Sequence, residues 1–284
     1  MAPPLRFATC NELFQQFKFA EGCAAIREIG YTGVEIAPFT LAENPVQLTS
    51  EDRRVIRRTV AQNELSFVGL HWILASPKNL HATTGDNQQR VATWRFIRDL
   101  IDLCADINPL PNSTAVLVFG SPKQRSTVKG ATRPQATERM REGLAQIAPH
   151  AESRNVQVLL EPLSSDQCDV VNTVAEAVKI VEEIGSPAIQ TMFDVHNAAD
   201  ESLPHTAVLR NFWPHIRHIH VNEMDGKEPG TGNYNFRELL SSLMHLDYSG
   251  WVSLEAFDFS RDPREVASRA LQHLQHAAAL QPSV

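Results

Sequence analysis

Four polar side chains in the second half of the chain stand where apolar runs end, and together they suit a metal ion. They are Glu161 in "VQVLLEP", Asp194 in "IQTMFDV", His220 in "IRHIHVN" and Glu255 in "WVSLEAF". Three converging carboxylates repel one another and lose their hydration when they are buried. A divalent cation offsets both costs, and a set rich in oxygen with one imidazole suits Mn²⁺, Mg²⁺ or Co²⁺ better than structural zinc.

Each of these residues alone would be more typical of a surface or core position than of a ligand. Their recurrence at the ends of four consecutive apolar runs favours a joint metal site. Parallel strands bring their carboxyl ends to one edge of a sheet, and adjacent strands lie about 4.8 Å apart. We therefore expect these four side chains to converge.

The elements that would position them are eight short apolar runs that alternate with helical stretches such as "TVAEAVKIVEEIG". The predicted strands cover residues 5–10, 33–38, 66–73, 114–120, 156–162, 189–195, 216–222 and 251–257. Alternating strands and helices are typical of parallel pairing, and eight units predict a (β/α)₈ TIM barrel. A doubly wound open sheet is the alternative, but no glycine fingerprint follows the first strand. We predict a single catalytic domain over residues 1–284.

The amino-acid composition argues against nucleic acid and membranes as binding partners of this protein. The net charge is −7 and the pI is about 5.9, so the basic footprint of a nucleic-acid-binding protein is absent. No apolar run is long enough to span a membrane. Four scattered cysteines without a CxxC pair indicate reduced thiols, and we expect a cytoplasmic protein.

Several segments resemble the xylose isomerase-like TIM-barrel sugar isomerases and epimerases, a group that includes ketose 3-epimerases and hydroxypyruvate isomerase. The resemblance rests on "LLEPLSSDQCDVVNT", "MFDVHNA", "HIHVNEMDGKEPGTGNYNF" and "WVSLEAF", in this order and spacing. The first half fits more loosely, through "GYTGVEIAPF", "GLHWIL" and "VFGSPKQR". The endonuclease IV fold is a more distant relative.

The resemblance implies that Glu161, Asp194, His220 and Glu255 hold one divalent metal, commonly Mn²⁺, and that Glu161 and Glu255 also act as acid and base. The substrate would be a small sugar or hydroxy-ketone, isomerised or epimerised through a cis-enediolate that the metal stabilises. Relatives are often dimers or tetramers, so a homo-dimer or homo-tetramer is expected by analogy.

The substrate-contacting positions depart from the family pattern. The family often has "NR" followed by an acidic residue after the first metal glutamate, where this chain has Ser164, Ser165 and Gln167. An arginine often follows the metal histidine, where this chain has Gly226, with Lys227 beside it. Lysine is a weaker substitute for a bidentate arginine. The metal set is complete, but the substrate is expected to differ.

A third departure concerns the residues after Asp194. The family usually has a substrate-binding histidine three residues on, where this chain has Asn197, and its histidine is His196. A regular strand would place His196 on the same inward face as Asp194. A turn at Val195 would give the role to Asn197 instead.

Other residues are candidates for the substrate pocket. Glu35 in "GVEIAP" would bind a sugar hydroxyl or form a core salt bridge with an arginine or lysine. His71 in "GLHWIL" is predicted on the substrate side, and Phe257 as a pocket wall. His218 shares a face with His220 and is predicted to be a deeper core residue.

Two loops are also candidates. "VFGSPKQR", with Ser121, Lys123 and Arg125, would meet a phosphate or carboxylate, or be an ordinary solvated loop. "ASPKNLHATTGDNQQ" is the longest predicted loop, a feature that is often a lid.

Three other functions remain open. The same metal and bases would serve a lyase or dehydratase acting on a keto-sugar or glycoside. An endonuclease IV-like repair enzyme would need more histidine ligands and a basic surface, against the acidic charge. A non-catalytic sugar-binding barrel is disfavoured because both acid/base glutamates are present.

Overall fold

The computed structural model describes residues 4–109 and 113–280, and its centre is a closed barrel of eight parallel strands. The strands pair in chain order, and β1 pairs with β8 to close the ring. They are β1 Arg6–Cys10, β2 Gly33–Ile36, β3 Ser66–Leu70, β4 Ala115–Phe119, β5 Val156–Leu160, β6 Ile189–Asp194, β7 Ile216–Val221 and β8 Trp251–Leu254. The predicted TIM barrel is confirmed.

Seven of the eight predicted strands run one to three residues past the observed carboxyl end, while the first matches there and starts one residue early. In each of the seven, the backbone leaves the sheet ladder to begin the loop that leads to the next helix. The single-domain assignment stays a prediction, and its ends, residues 1–3 and 281–284, lie outside the described residues.

A helix follows each strand. The helices are α1 Phe19–Ile29, α2 Ser50–Gln62, α3 Asn87–Ile107, α4 Arg133–Ser153, α5 Val174–Ile184, α6 His205–Phe212, α7 Phe236–His245 and α8 Pro263–Ala279. Side-chain caps fix several starts: Thr49 and Asp52 cap α2 reciprocally, which satisfies backbone N–H groups that a helix leaves free. Within the part of the chain described, none of these helices has the length and apolar character needed to cross a bilayer.

The core has two levels. Apolar side chains of the strands pack outward against the helices in two large buried clusters. A smaller cluster fills the barrel interior, and it comprises Ala8, Val68, Val116, Val118, Leu159 and Met192. The interior is therefore packed in the usual manner of this fold, which leaves the carboxyl ends of the strands as the place for a site.

Candidate metal centre

The four predicted ligands meet at the carboxyl end of the barrel. One ligand atom from each of Glu161, Asp194, His220 and Glu255 lies within 4.8 Å of the others, and all four residues are buried. His220 Nδ1 is the common neighbour, at 3.1 Å from Glu255 Oε2, 3.6 Å from Asp194 Oδ2 and 4.0 Å from Glu161 Oε1. Atoms bound to one cation at about 2.1 Å are about 3 Å apart, so small adjustments would close this set around an ion.

The strand ladder holds these residues at one level. Asp194 pairs in register with His220 across β6 and β7. Glu161 and Glu255 each follow their strand by one residue, and their backbone N–H groups still donate to the neighbouring strand, to Phe119 O and Val221 O. These hydrogen bonds fix the backbone of both glutamates to the sheet, although each residue lies just past its strand.

The carboxylates of the site are buried close together, and this raises the pKa of two of them. The pKa of Glu161 is raised to about 8, mainly by burial and secondly by repulsion from the carboxylates of Glu255 and Asp194. Burial is also the largest cause that raises the pKa of Asp194, to about 6, and repulsion from the Glu255 carboxylate is the second. No lysine or arginine among the described residues lies within ion-pair distance of these carboxylates, and His220 is the shared basic neighbour. The donor chemistry and the uncompensated charge both fit a divalent metal.

His220 is oriented from below by a buried carboxylate. Its Nε2 lies 3.0 Å from Glu35 Oε1, and Glu35 Oε2 lies 2.8 Å from His218 Nε2. Burial raises the pKa of Glu35, but the two histidines outweigh it and hold that pKa well below its usual value. An ionised Glu35 accepts the Nε2 proton of His220, which leaves Nδ1 free for a metal.

Glu35 therefore does not form the core salt bridge with an arginine or lysine that was considered from the sequence. Its partners are histidines and not an arginine or lysine, and its oxygens are occupied below the ligand cluster. His218 is 1% exposed and lies deeper than His220, as its predicted core position requires. The substrate role predicted for Glu35 is untested.

The chain turns directly after Asp194, which decides which of the next residues faces the ligands. The strand ends at Asp194 and a 3-10 turn begins at Asn197. Asn197 donates its backbone N–H to Asp194 Oδ1 at 2.7 Å and its side-chain amide to Glu161 Oε1 at 3.0 Å. Asn222, which the sequence analysis did not single out, donates to Asp194 Oδ2 at 3.1 Å.

His196 lies on the rim of the site. Its Nδ1 is 2.8 Å from Met224 O, and its ring centroid is 5.6 Å from that of Phe257. Gly226 makes this packing possible, because a Cβ there would lie 2.8 Å from the Phe257 ring. The loop after β7 thus places the Phe257 ring between His196 and Trp72, whose ring centroid is 6.1 Å away.

Two other positions that depart from the family pattern lie in different places, one in the site and one on the surface. Gln167 donates to Asn197 Oδ1 at 2.7 Å and to Ser164 Oγ at 2.9 Å, so it joins the network above Glu161. Lys227 pairs instead with Asp225 at 2.7 Å, and its side chain is 50% exposed. The structure does not bring Lys227 to the cluster.

The loop after β4 uses its arginine for structure. Arg125 is fully buried and donates to the carbonyl oxygens of Phe119, Val170 and Val171 at 3.0 to 3.2 Å. Its guanidinium is thereby committed to backbone groups, which leaves this loop without the arginine that an anion site would use.

Two buried residues beside the site were also missed. Glu12, in "TCNELF" just after β1, is fully buried, and its Oε2 lies 2.9 Å from His71 Nε2. Cys10 ends β1 and is buried beside them. The sequence does contain a sign of this position, because polar residues follow the first strand as they follow the four strands that carry the predicted ligands.

The chain resembles proteins of one family along nearly its full length. Residues 23–277 match the family model described as xylose isomerase-like TIM barrel. The probable ketose 3-epimerase of Synechocystis sp. is 24% identical over 248 residues, which are 85% of this chain and 78% of that protein. The 3-dehydro-D-guloside 4-epimerase of Escherichia coli (strain K12) is 23% identical over 278 residues, 95% of this chain and 99% of that protein.

Solved structures show the same fold. A D-psicose 3-epimerase crystallised in the presence of D-fructose has a TM-score of 0.82 and 19% identity, and the match covers 96% of this chain and 99% of that one. A 3-keto-D-glucoside 4-epimerase from E. coli also has a TM-score of 0.82, with 17% identity over 96% of this chain and 100% of that one. Those proteins act on different sugars, so the barrel alone does not fix the substrate.

Proposed function

Since this chain belongs to the xylose isomerase-like TIM-barrel family, we propose that it is a metal-dependent epimerase or isomerase of a small keto-sugar or hydroxy-ketone. The observation that carries the proposal is the buried cluster of Glu161, Asp194, His220 and Glu255. These residues would hold one divalent cation, Mn²⁺ in the first instance, with Mg²⁺ or Co²⁺ as alternatives. The cation supplies Lewis-acid stabilisation for negative charge that develops on substrate oxygens.

The proton is moved by the two glutamates. Burial raises the pKa of Glu255, but His220 outweighs it and holds that pKa below its usual value, whereas the pKa of Glu161 is raised to about 8. Environments that push two carboxyl pKa values apart are typical of an acid and base pair. Glu255 is the base that removes the proton beside the carbonyl. Glu161 returns a proton to the opposite face, which inverts that carbon.

The predicted substrate contacts are built around this pair. Asn197 is held against Glu161 and Asp194, and it takes the place next to the substrate. Phe257 and His196 pack against each other at the rim of the site, and His71 lies beside Glu255, with its Nε2 3.9 Å from Glu255 Oε1. Glu35 contributes through His220, while Lys227 reaches a substrate only by leaving Asp225.

Isotope exchange tests the proposal without knowledge of the natural substrate. The protein is incubated with a panel of ketoses and keto-glycosides in D₂O, and deuterium at the carbon beside the carbonyl is measured. Glu255→Gln should abolish the exchange while the fold and the melting temperature are retained. Glu138→Gln, on the surface beside Arg141, is the matched control and should exchange as the wild type does.

The outcomes are distinct. Exchange that continues in Glu255→Gln would refute the proton-transfer roles. Loss of water from the substrate, in place of an epimer, would select the lyase or dehydratase alternative, which the departures at Ser164, Ser165, Gln167 and Gly226 keep open. Association into a homo-dimer or homo-tetramer remains a proposal, tested by light scattering.

A further inference from the structure

A second group of ligand-type side chains lies beside the first and shares one member with it. Cys10, Glu12, His71 and Glu255 each offer an atom within 4.8 Å of the others, and all are buried. They lie at or just after the carboxyl ends of β1, β3 and β8; β8 pairs with β1, and β2 lies between β1 and β3 in the closed barrel.

Glu12 is the anomalous member of this group. It is fully buried, and neither of its carboxylate oxygens accepts a hydrogen bond. His71 Nε2 lies 2.9 Å from Oε2, within ion-pair distance, but neither ring nitrogen of His71 forms a hydrogen bond of acceptable geometry. A buried carboxylate without hydrogen bonds is costly, and a pair with this alignment recovers little of that cost.

Glu255 faces both groups. Its Oε2 lies 3.1 Å from His220 Nδ1, on the side of the first cluster, and its Oε1 lies 3.9 Å from His71 Nε2. Such a carboxylate is placed to bridge two cations.

Glu35 stands behind both histidines. Its Oε1 is 3.0 Å from His220 Nε2 and 3.7 Å from His71 Nδ1. A carboxylate that accepts a hydrogen bond from the distal nitrogen of a histidine is the usual support for a metal ligand. Glu35 is within hydrogen-bond distance of His220, and it lies within ion-pair distance of His71 without a hydrogen bond.

We propose that Cys10, Glu12 and His71, with Glu255 Oε1 as a shared ligand, form a second cation site for a borderline ion such as Zn²⁺ or Co²⁺. The sulfur, nitrogen and oxygen donors favour these ions over Mg²⁺. Tetrahedral ligands at about 2.0–2.3 Å are about 3.3–3.8 Å apart, which the present separations approach. Binding forms a bond to the Cys10 sulfur and releases the thiol proton to solvent, with no change of oxidation state.

Occupancy of this site has a consequence for turnover. A cation on Oε1 withdraws Glu255 from proton transfer, so filling the second site inhibits the enzyme. This consequence rests on the proposed function, whereas the binding of the ion does not.

Cobalt is the probe, because a thiolate ligand gives Co²⁺ a charge-transfer band in the near ultraviolet. Metal-free protein is titrated with Co²⁺ while absorbance is recorded, and bound metal per chain is determined by elemental analysis. We expect two ions per chain and a thiolate band. Cys10→Ser should remove the band, and both Cys10→Ser and Glu12→Gln should weaken one ion at least about tenfold. Cys23→Ser, which changes a buried cysteine in α1, is the control and should keep the band.

The two proposals fail separately. One ion per chain with no thiolate band, or a band that survives Cys10→Ser, overturns the second site and leaves the proposed function standing. Asp194→Asn should remove the other ion and keep the band. If Asp194→Asn removes no ion, the proposed function fails instead. Thermal melting of each variant separates loss of an ion from loss of the fold.

Discussion

Gly120, the residue after β4, leaves the space that Glu161 occupies, and Gly120→Ala tests how accurately that glutamate must be placed. A Cβ at this position would lie 2.1 Å from Glu161 Oε2 and 3.3 Å from its Cδ. Carbon and oxygen atoms that are not bonded keep at least 3.0 Å apart. The carboxylate must therefore move by about 1 Å, and displacement of a catalytic group by that distance costs about 100-fold in rate.

The variant should still fold, with a moderate loss of stability at most. Gly120 is not among the glycines with positive φ in the described chain, so alanine fits the backbone there and loses less chain entropy on folding, a gain of about 0.4–1 kcal/mol. Crowding against Glu161 costs about 1–3 kcal/mol in the opposite direction. The net expectation is a loss of about 0–2.6 kcal/mol in the free energy of unfolding.

The assay measures kcat/KM for deuterium exchange, the affinity for Mn²⁺ by calorimetry, and unfolding in urea. We expect about 100-fold lower kcat/KM and about 10–100-fold weaker metal binding in a folded protein. Gly85→Ala is the matched control, because its Cβ would meet only the Arg139 guanidinium at an ordinary 3.7 Å. Metal affinity and turnover in Gly120→Ala within threefold of the wild type would refute the placement of Glu161.

Three further predictions concern the support of the site. Without metal, the melting temperature should fall as pH rises from about 5 to 8, since Glu161, with a folded pKa of about 8, keeps its proton in the folded state over this range and loses it in the unfolded state. His220, whose pKa is raised by Glu35 against burial, acts in the same direction, and saturating Mn²⁺ should flatten the trend measured by calorimetry. Glu35→Gln should weaken Mn²⁺ binding about 10–100-fold at unchanged secondary structure; equal affinity would show that His220 needs no orienting carboxylate. Arg125→Met should lower the free energy of unfolding by about 3–5 kcal/mol in urea, because buried carbonyl groups lose a charged donor; a change below about 1 kcal/mol would contradict that role.

The sequence predicted the barrel and the level of its site because both follow from local patterns. Apolar runs alternate with helical spacing, and the polar residues Glu161, Asp194, His220 and Glu255 mark where those runs end. The structure brings these four side chains together. Their roles as ligands and as acid and base stay predictions that the experiments above address.

The contacts that the sequence left open depend on turns and on partners far away in the chain. Whether His196 or Asn197 faces Glu161 depends on a single backbone turn after Asp194, which periodicity does not reveal. The partners of Glu35 come from β7, more than 180 residues later, so no local pattern pairs them. Glu12 lies in a short 3-10 helix directly after β1, where a lone glutamate is more typical of the surface than of a buried site.

The order of the strands determines when the site can form during synthesis of the protein. β8 closes the ring against β1, and Glu255 follows β8 directly. A nascent chain that has already produced Glu161, Asp194 and His220 still has an open sheet edge and lacks its last carboxylate. The four candidate ligands thus meet only after β8 and Glu255 have been synthesised. A cation that requires all four would be acquired by chains that contain β8 and not by chains terminated before it.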